Sequence, residues 1–375
     1  MGDFFKETIS AFDKPDVPDE IVVDLITQLA NSGERFYFDS CVYDFASTGG
    51  PSSLTTILVP LYLFAYGVNV INLAVPGRPA GAVDVLGQIP KYQLNYRSTI
   101  LLDESHFYLH LEADEHFAPL DRQLFEYRKE VNKINNPNLA IASLLAKKIA
   151  GGANNIGLDV RVSPFGNFGI NWDECRYFAK KYNRIANQFG IKSICFLSSA
   201  TAPYQQYIGR GEALIALHKI MNTSEDPWLA EHNKSCLDIA RIMTNEQYIP
   251  TTESLKEAFS QNLIFQGSNY EFFEEAVEKV AGQPYREITA STSGYIVYSL
   301  PEIRRYLVYR QKMNEPVFKY PDPSGIVLLH RQGAYVEGGQ PVLLIRNSLP
   351  LLEEKYSFFQ TKNEVFLCPY KREVL

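Results

Sequence analysis

The stretch Phe45-Ala46-Ser47-Thr48-Gly49-Gly50-Pro51-Ser52-Ser53-Leu54-Thr55-Thr56 decides the fold. Phe45 to Gly50 reads as the end of a strand and a glycine turn, and Pro51-Ser52-Ser53 is a helix-start signal. The apolar run from Leu54 to Ala74 is interrupted by Pro60, Gly67 and two Asn, which suits a buried helix leading into a strand rather than a membrane span. Val68 to Val75 is β-branched, as a buried parallel strand requires. Strand, hydroxyl-rich loop, helix and strand in that order specify an α/β sheet.

Working outward, Asp19 to Leu29 carries apolar residues at helical spacing and stops at Asn31-Ser32-Gly33. Thr99 to Leu102 and His106 to Leu111 are shorter strand candidates, and Leu120 to Ile149 reads as helix, turn, helix, broken at Asn135-Asn136-Pro137-Asn138. Ile156 to Val162 (strand), Asp173 to Phe189 (helix, stopped by Gly190), Ser193 to Leu197 (strand) and Gly211 to Met221 (helix) continue the alternation. From Ile288 the texture changes to short β runs: Thr289 to Val297, Gly325 to His330, and Pro341 to Ile345 after a Gly333 turn.

Composition narrows the function classes. The 375 residues are 46% hydrophobic, enough apolar mass for two packed domains, and the net charge of −7 disfavours a general nucleic-acid binder. Five scattered cysteines, Cys41, Cys175, Cys195, Cys236 and Cys368, lack metal-ligand spacing and read as free thiols in a reducing cytoplasm. The N-terminus lacks the pattern of a signal peptide and no run reaches membrane-spanning length, so no membrane partner is expected, and the net charge argues against nucleic acid as a partner. His106, His110 and His116 have no carboxylate spacing that completes a metal triad, and the Gly333 to Pro341 hairpin has no Lys at its tip; no metal and no cofactor is expected.

Two clusters could carry chemistry. Ser47-Thr48-Gly49-Gly50 before a helix offers hydroxyl donors, close backbone approach and free N–H groups, an oxyanion cradle in form, although ordinary N-capping needs the same residues. Ser143 and Lys147 share a helix face, and a helical hairpin brings Arg128 and Phe125 to it. Two cations, a hydroxyl and a ring suit a planar heterocycle with two carbonyl oxygens. By default, a Lys147-Lys148 pair on a helix is a solvated face.

The order Ser-Thr-Gly-Gly, Pro76-Gly77-Arg78, Asp84, Arg128-x14-Ser143-x3-Lys147, Leu158-Asp159-Val160-Arg161-Val162 and Ile208-Gly209 resembles the pyrimidine nucleoside phosphorylases, the family of thymidine phosphorylase. The resemblance runs from about Pro18 to Asn347. It implies a small all-α domain (1–32 and 117–150) across a cleft from a larger α/β domain with a mainly parallel sheet (33–116 and 151–287), followed by a C-terminal β-rich subdomain (288–375). It further implies phosphorolysis of a pyrimidine nucleoside, with Phe125, Arg128, Ser143 and Lys147 on the base, Arg128 and Lys147 as the catalytic pair, and Ser47, Thr48, Gly49, Thr55 and Arg78 toward the anion or sugar.

Departures fall on the phosphate half. The family's Lys-His before Ser-Thr-Gly-Gly is Phe45-Ala46 here, its Ser in Ser-Gly-Arg is Pro76, and a longer hydroxyl-bearing loop is shortened to Pro79-Ala80-Gly81-Ala82. Ordinary phosphate use is therefore not expected to follow unchanged, and another acceptor is an alternative. A homodimer with an altered interface is expected, since the family's longer N-terminal helical region is reduced to Asp3 to Phe12. Three readings follow: a pentosyltransferase on pyrimidine nucleosides, a non-catalytic nucleobase or nucleoside binder of regulatory kind, and an assembly protein using the fold alone.

Overall fold

The computed structural model describes residues 2–14, 17–76, 80–95, 106–163, 166–314, 324–346, 356–365 and 370–375. Helices α1 (Gly2–Phe12) and α2 (Asp19–Ala30) precede an alternating run of β1 (Val42–Ser47), α3 (Thr55–Ala65), β2 (Asn69–Ala74), α4 (Ala82–Leu86) and β3 (Tyr108–Glu112). The hairpin α5 (Pro119–Glu130) and α6 (Pro137–Ala150) leads to β4 (Asn155–Val162), α7 (Trp172–Gln188), β5 (Lys192–Ser199) and β6 (Tyr207–Gly209). Helices α8 (Arg210–Met221), α9 (Pro227–Thr244), α10 (Thr252–Phe265) and α11 (Tyr270–Ala281) follow. The chain then forms β7 (Tyr285–Thr289), β8 (Gly294–Tyr298), α12 (Leu300–Asn314), β9 (Gly325–Leu328), β10 (Tyr335–Val336), β11 (Pro341–Arg346), β12 (Phe359–Lys362) and β13 (Arg372–Val374).

The main sheet has the order β13-β5-β4-β1-β2-β3, with β1 to β5 parallel and β13 added antiparallel along β5. From β1 the chain passes to β2 on one side and later to β4 on the other. In an open α/β sheet the crevice above the carboxyl ends of such strands is the natural ligand site. It is where the Ser47 to Gly50 loop emerges.

Period-two alternation sorts the strand residues into two cores. Val42 and Ala46, Ile71 and Leu73, Leu109 and Leu111, and Cys195 and Leu197 face the side covered by α2, α6 and α7. Phe45, Val70, Tyr108 and Phe196 face the side covered by α3, α8, α9 and α10. Gly157 lies opposite Phe45, and a Cβ there would come within 2.6 Å of its ring. Helices α2, α5 and α6 pack on one another, with α1 against α5, and α6 also reaches β2, so the small all-α part abuts the larger α/β part. The C-terminal β-rich part consists of a four-stranded antiparallel sheet β6-β9-β11-β7, a three-stranded sheet β10-β8-β12, and α12. The buried pair Arg346–Glu212, at 2.6 Å, ties it to α8.

Several expectations are corrected. The tail is not purely strand and turn, because α12 packs Ile303, Tyr306 and Leu307 into its core. Thr289 to Val297 is not one run: its two ends belong to different sheets. The region after Met221 holds α9, α10 and α11, which periodicity did not reveal. Lys147 and Lys148 are buried, not solvated. Thr99 to Leu102, Arg78 and Cys368 lie outside the described residues. Among the described residues, the cysteines are unpaired, no group of His, Cys, Asp and Glu could hold a metal, and no helix is long and apolar enough to cross a membrane.

Candidate active site

The β1–α3 loop is held open by its glycines. Gly49 and Gly50 have φ of 109° and 146°, a left-handed backbone that side chains resist, and a Cβ on Gly50 would meet nothing within 4 Å. Thr48 extends the sheet: its N–H donates to the Asp159 carbonyl at 3.0 Å, and its hydroxyl accepts from the Arg161 N–H at 2.9 Å. The Gly49 N–H donates to Ser47 Oγ at 3.2 Å, and the Thr55 N–H to Ser53 Oγ at 3.1 Å.

Beneath this loop lies Arg161, a residue to which the sequence alone assigns no role. It is 1% exposed, pairs with Asp159 at 2.5 Å, and stacks over Tyr204 at 4.4 Å. Its guanidinium donates to Ser53 Oγ, to Thr55 Oγ1 at 3.0 Å and to Ser47 Oγ at 3.3 Å. Asp159 offsets its charge, so the cradle is rich in hydrogen bonds but close to neutral. Ser47 Oγ accepts from both Arg161 and Gly49, which leaves its own proton to be donated. The signal that could have found Arg161 is local: Asp159 and Arg161 are two apart on a strand and so share a face.

On the facing wall, the Lys147 ammonium donates to Asp121 Oδ2 at 2.6 Å, to the Ser143 carbonyl at 2.5 Å and to Ser143 Oγ at 2.8 Å. Its three protons are thereby used. Burial pulls its pKa below the usual lysine value, and Asp121 opposes that shift. Asp121, whose Oδ1 has no hydrogen-bond partner among the described residues, was missed because it lies 26 positions away on α5. Phe125 is buried, with the Lys129 ammonium 4.6 Å from its ring centre.

Arg128 is directed differently from expectation. Its guanidinium donates to the carbonyls of Lys133, Ile134 and Leu139, at 3.3, 2.5 and 3.4 Å. This ties α5 to the turn and first residues of α6. Behind the site, Lys148 pairs with Asp44 at 2.7 Å, both almost fully buried. Burial pushes Asp44 up to about 6 against the pull of Lys148, while burial and then Lys148 bring His110 down to about 3. His110 Nε2 lies 2.6 Å from the Tyr108 hydroxyl, in keeping with a structural histidine.

Ser47, Thr48, Gly49 and Thr55 from one wall, and Phe125, Arg128, Ser143 and Lys147 from the other, line one cavity of about 190 Å³. Arg304 of α12 and Asn167 after β4 line it too. Phe45, at the place where this sequence departs from the Lys of the family it resembles, turns its ring into the core beside Phe196.

No family model matches the chain. It is 25% identical over 364 residues, 90% of this chain and 83% of the relative, to a pyrimidine-nucleoside phosphorylase of Staphylococcus epidermidis. It is also 25% identical over 177 residues, 46% of this chain and 40% of the relative, to a thymidine phosphorylase of Sinorhizobium fredii. Among solved structures, an anthranilate phosphoribosyltransferase from Thermus thermophilus superposes with a TM-score of 0.48 at 14% identity, covering 70% of this chain and 85% of that one. Across nine-tenths of its length this chain is similar to that pyrimidine-nucleoside phosphorylase of Staphylococcus epidermidis.

Proposed function

We propose that the chain is a pentosyltransferase that makes or breaks the N-glycosidic bond of a pyrimidine nucleoside. In this reading the α5–α6 hairpin holds the base, and the β1–α3 loop faces the sugar and its acceptor. The observation that carries it is the contact of Lys147 with Ser143 Oγ. A hydroxyl that accepts from an ammonium group keeps its own proton for the ligand and is polarised as a donor.

Breaking the bond between base and pentose leaves the electron pair on the ring nitrogen, and negative charge spreads to the ring carbonyls. A donor backed by a fixed cation is worth more to that anion than to the neutral ring, so it lowers the barrier. Removing one such donor typically costs about 3 kcal/mol of transition-state stabilisation. Lys147 supplies the field, Ser143 the near contact, and Phe125 an apolar wall, while Arg128 positions the hairpin through its backbone contacts. The Ser47 hydroxyl and the loop amides face the pentose or the acceptor that attacks its anomeric carbon.

Incubation with uridine and with thymidine, with and without phosphate, followed by chromatography, tests this. Free base in excess of a Lys147→Ala control is expected, and its absence under every condition refutes the activity. The second reading, a nucleoside binder without turnover, is favoured by Phe45 and Ala46 and by the neutralisation of Arg161 by Asp159. Calorimetric binding of uracil or uridine without base release would support it.

A further inference from the structure

The cations around the cleft are not equivalent. Lys147 is paired with Asp121, Lys148 with Asp44 and Arg161 with Asp159. Arg128 is spent on backbone carbonyls. Arg304, which lines the same cavity from α12 and is half-buried, makes no hydrogen bond or ion pair with any described residue. Asn167, largely buried on the cavity wall, likewise makes no side-chain hydrogen bond with a described residue. Helix α12 is anchored by Ile303, Tyr306 and Leu307, which point into the C-terminal core, while Arg304 falls on another face of the helix.

A half-buried guanidinium with no carboxylate beside it leaves an unbalanced positive charge on the cavity wall, which an anionic ligand neutralises. Burial lowers the pKa of Arg304 from the usual arginine value with no carboxylate to offset it. The same cavity is lined by groups that donate without adding net charge: the Ser47 hydroxyl, the amide at Gly50 and the Asn167 amide. Hydrogen-bond donors are thus present at the loop, and the positive charge comes from a different part of the chain.

We infer that Arg304 is the charge-bearing residue of an oxyanion subsite that takes a phosphate group, with Asn167 and the Ser47 to Gly50 loop as its neutral donors. This inference rests on the proposed function for the location of the ligand and deepens it. It assigns the neutralisation of phosphate to the C-terminal part of the chain, in place of a residue adjoining the Ser-Thr-Gly-Gly loop. The phosphate is either inorganic phosphate acting as acceptor or a phosphate ester on the pentose, since both present the same oxyanion to a planar fork of donors.

Titration calorimetry on the full chain with inorganic phosphate, uridine 5′-monophosphate, uridine and uracil tests it, using wild type, Arg304→Gln and Arg304→Lys. A charge-assisted contact of this kind predicts that Arg304→Gln weakens the phosphate-bearing probe by about tenfold or more, with partial rescue by Arg304→Lys. Binding of uracil and uridine is expected to change by less than about twofold, which also shows that the variants are folded. A response to inorganic phosphate identifies the acceptor, and a response confined to the monophosphate identifies the ester. Failure of both phosphate probes to bind wild type, or equal binding to wild type and Arg304→Gln, overturns the inference. Loss of uracil and uridine binding with Arg304-dependent phosphate binding intact would refute the proposed function and leave this subsite standing.

Discussion

Replacing Asp121 by Asn removes the carboxylate that balances Lys147 in the base wall. The two atoms are 2.6 Å apart, and their side chains are 7% and 0% exposed. Unit charges centred roughly 4 Å apart attract by about 4 kcal/mol at an effective dielectric near 20. That agrees with the roughly 3–5 kcal/mol lost when one member of a buried pair is removed. Asparagine keeps a hydrogen bond, so a loss of about 3 kcal/mol is expected, visible by calorimetry as a drop of several degrees in Tm. The double variant Asp121→Asn with Lys147→Met removes the stranded charge and is expected to recover much of the loss. Base binding should weaken in Asp121→Asn as well, because the ammonium group is then buried without its counter-ion and loses its proton more readily. A Tm within a degree of wild type, or a double variant less stable than the additive expectation, would refute the view that this pair holds the wall together.

Further outcomes follow from the same geometry. Ser143→Ala should weaken uracil binding by roughly tenfold, the worth of a charge-assisted contact, and lower Tm by a few degrees by calorimetry, because it strips one acceptor from the buried Lys147 ammonium. Phe45→Lys, which supplies the cation that the sequence resemblance places there, should destabilise the protein and fail to increase phosphate-dependent base release, since the Phe45 ring sits in the core beside Phe196. The pH profile of Tm should reflect opposing groups. His110 and His232 are brought from 6.5 to about 3, each chiefly by burial, so the stability they contribute is fully present above pH 6.5 and lost as pH falls. Asp44, raised from 3.8 to about 6, contributes stability that is present below pH 3.8 and lost as pH rises through about 6. Asp44→Asn removes the opposing contribution, so its Tm should fall more steeply than that of wild type on acidification between those values. An unchanged slope would count against the buried carboxylate.

The parts that were legible in the sequence are those whose determinants are local. The β1–loop–α3 unit follows from a strand end, two glycines and hydroxyls within a dozen positions, and α6 from Asn136-Pro137, where Asn136 Oδ1 accepts from the Leu139 N–H at 3.0 Å. Helices α9, α10 and α11 also begin with capping residues, Asp226, Thr251 and Asn269, each of which accepts from an N–H of its own first turn. The charge state of the site was not legible, because each buried lysine is balanced from afar: Asp121 reaches Lys147 from another helix, and Asp44 reaches Lys148 from a strand far earlier in the chain. Spacing placed Arg128 on the correct hairpin, but whether its fork faces a ligand or its own turn depends on the loop's carbonyls. Arg304 comes from a helix within a region that reads as strands and turns, so nothing near it in sequence pointed to the cleft.

The segment from Tyr207 to Glu212, β6 and the first turn of α8, contacts three other parts of the molecule. β6 pairs with β9, Arg210 binds Asp84 of α4 at 2.9 Å, and Glu212 holds Arg346 of β11. Ala82 and Val83 of α4 form part of the cavity wall. The C-terminal sheets and the cavity wall are thus joined by contacts that run outside the six-stranded sheet, so a substitution at Arg346 is expected to alter ligand affinity, read by calorimetry, without touching the ligand.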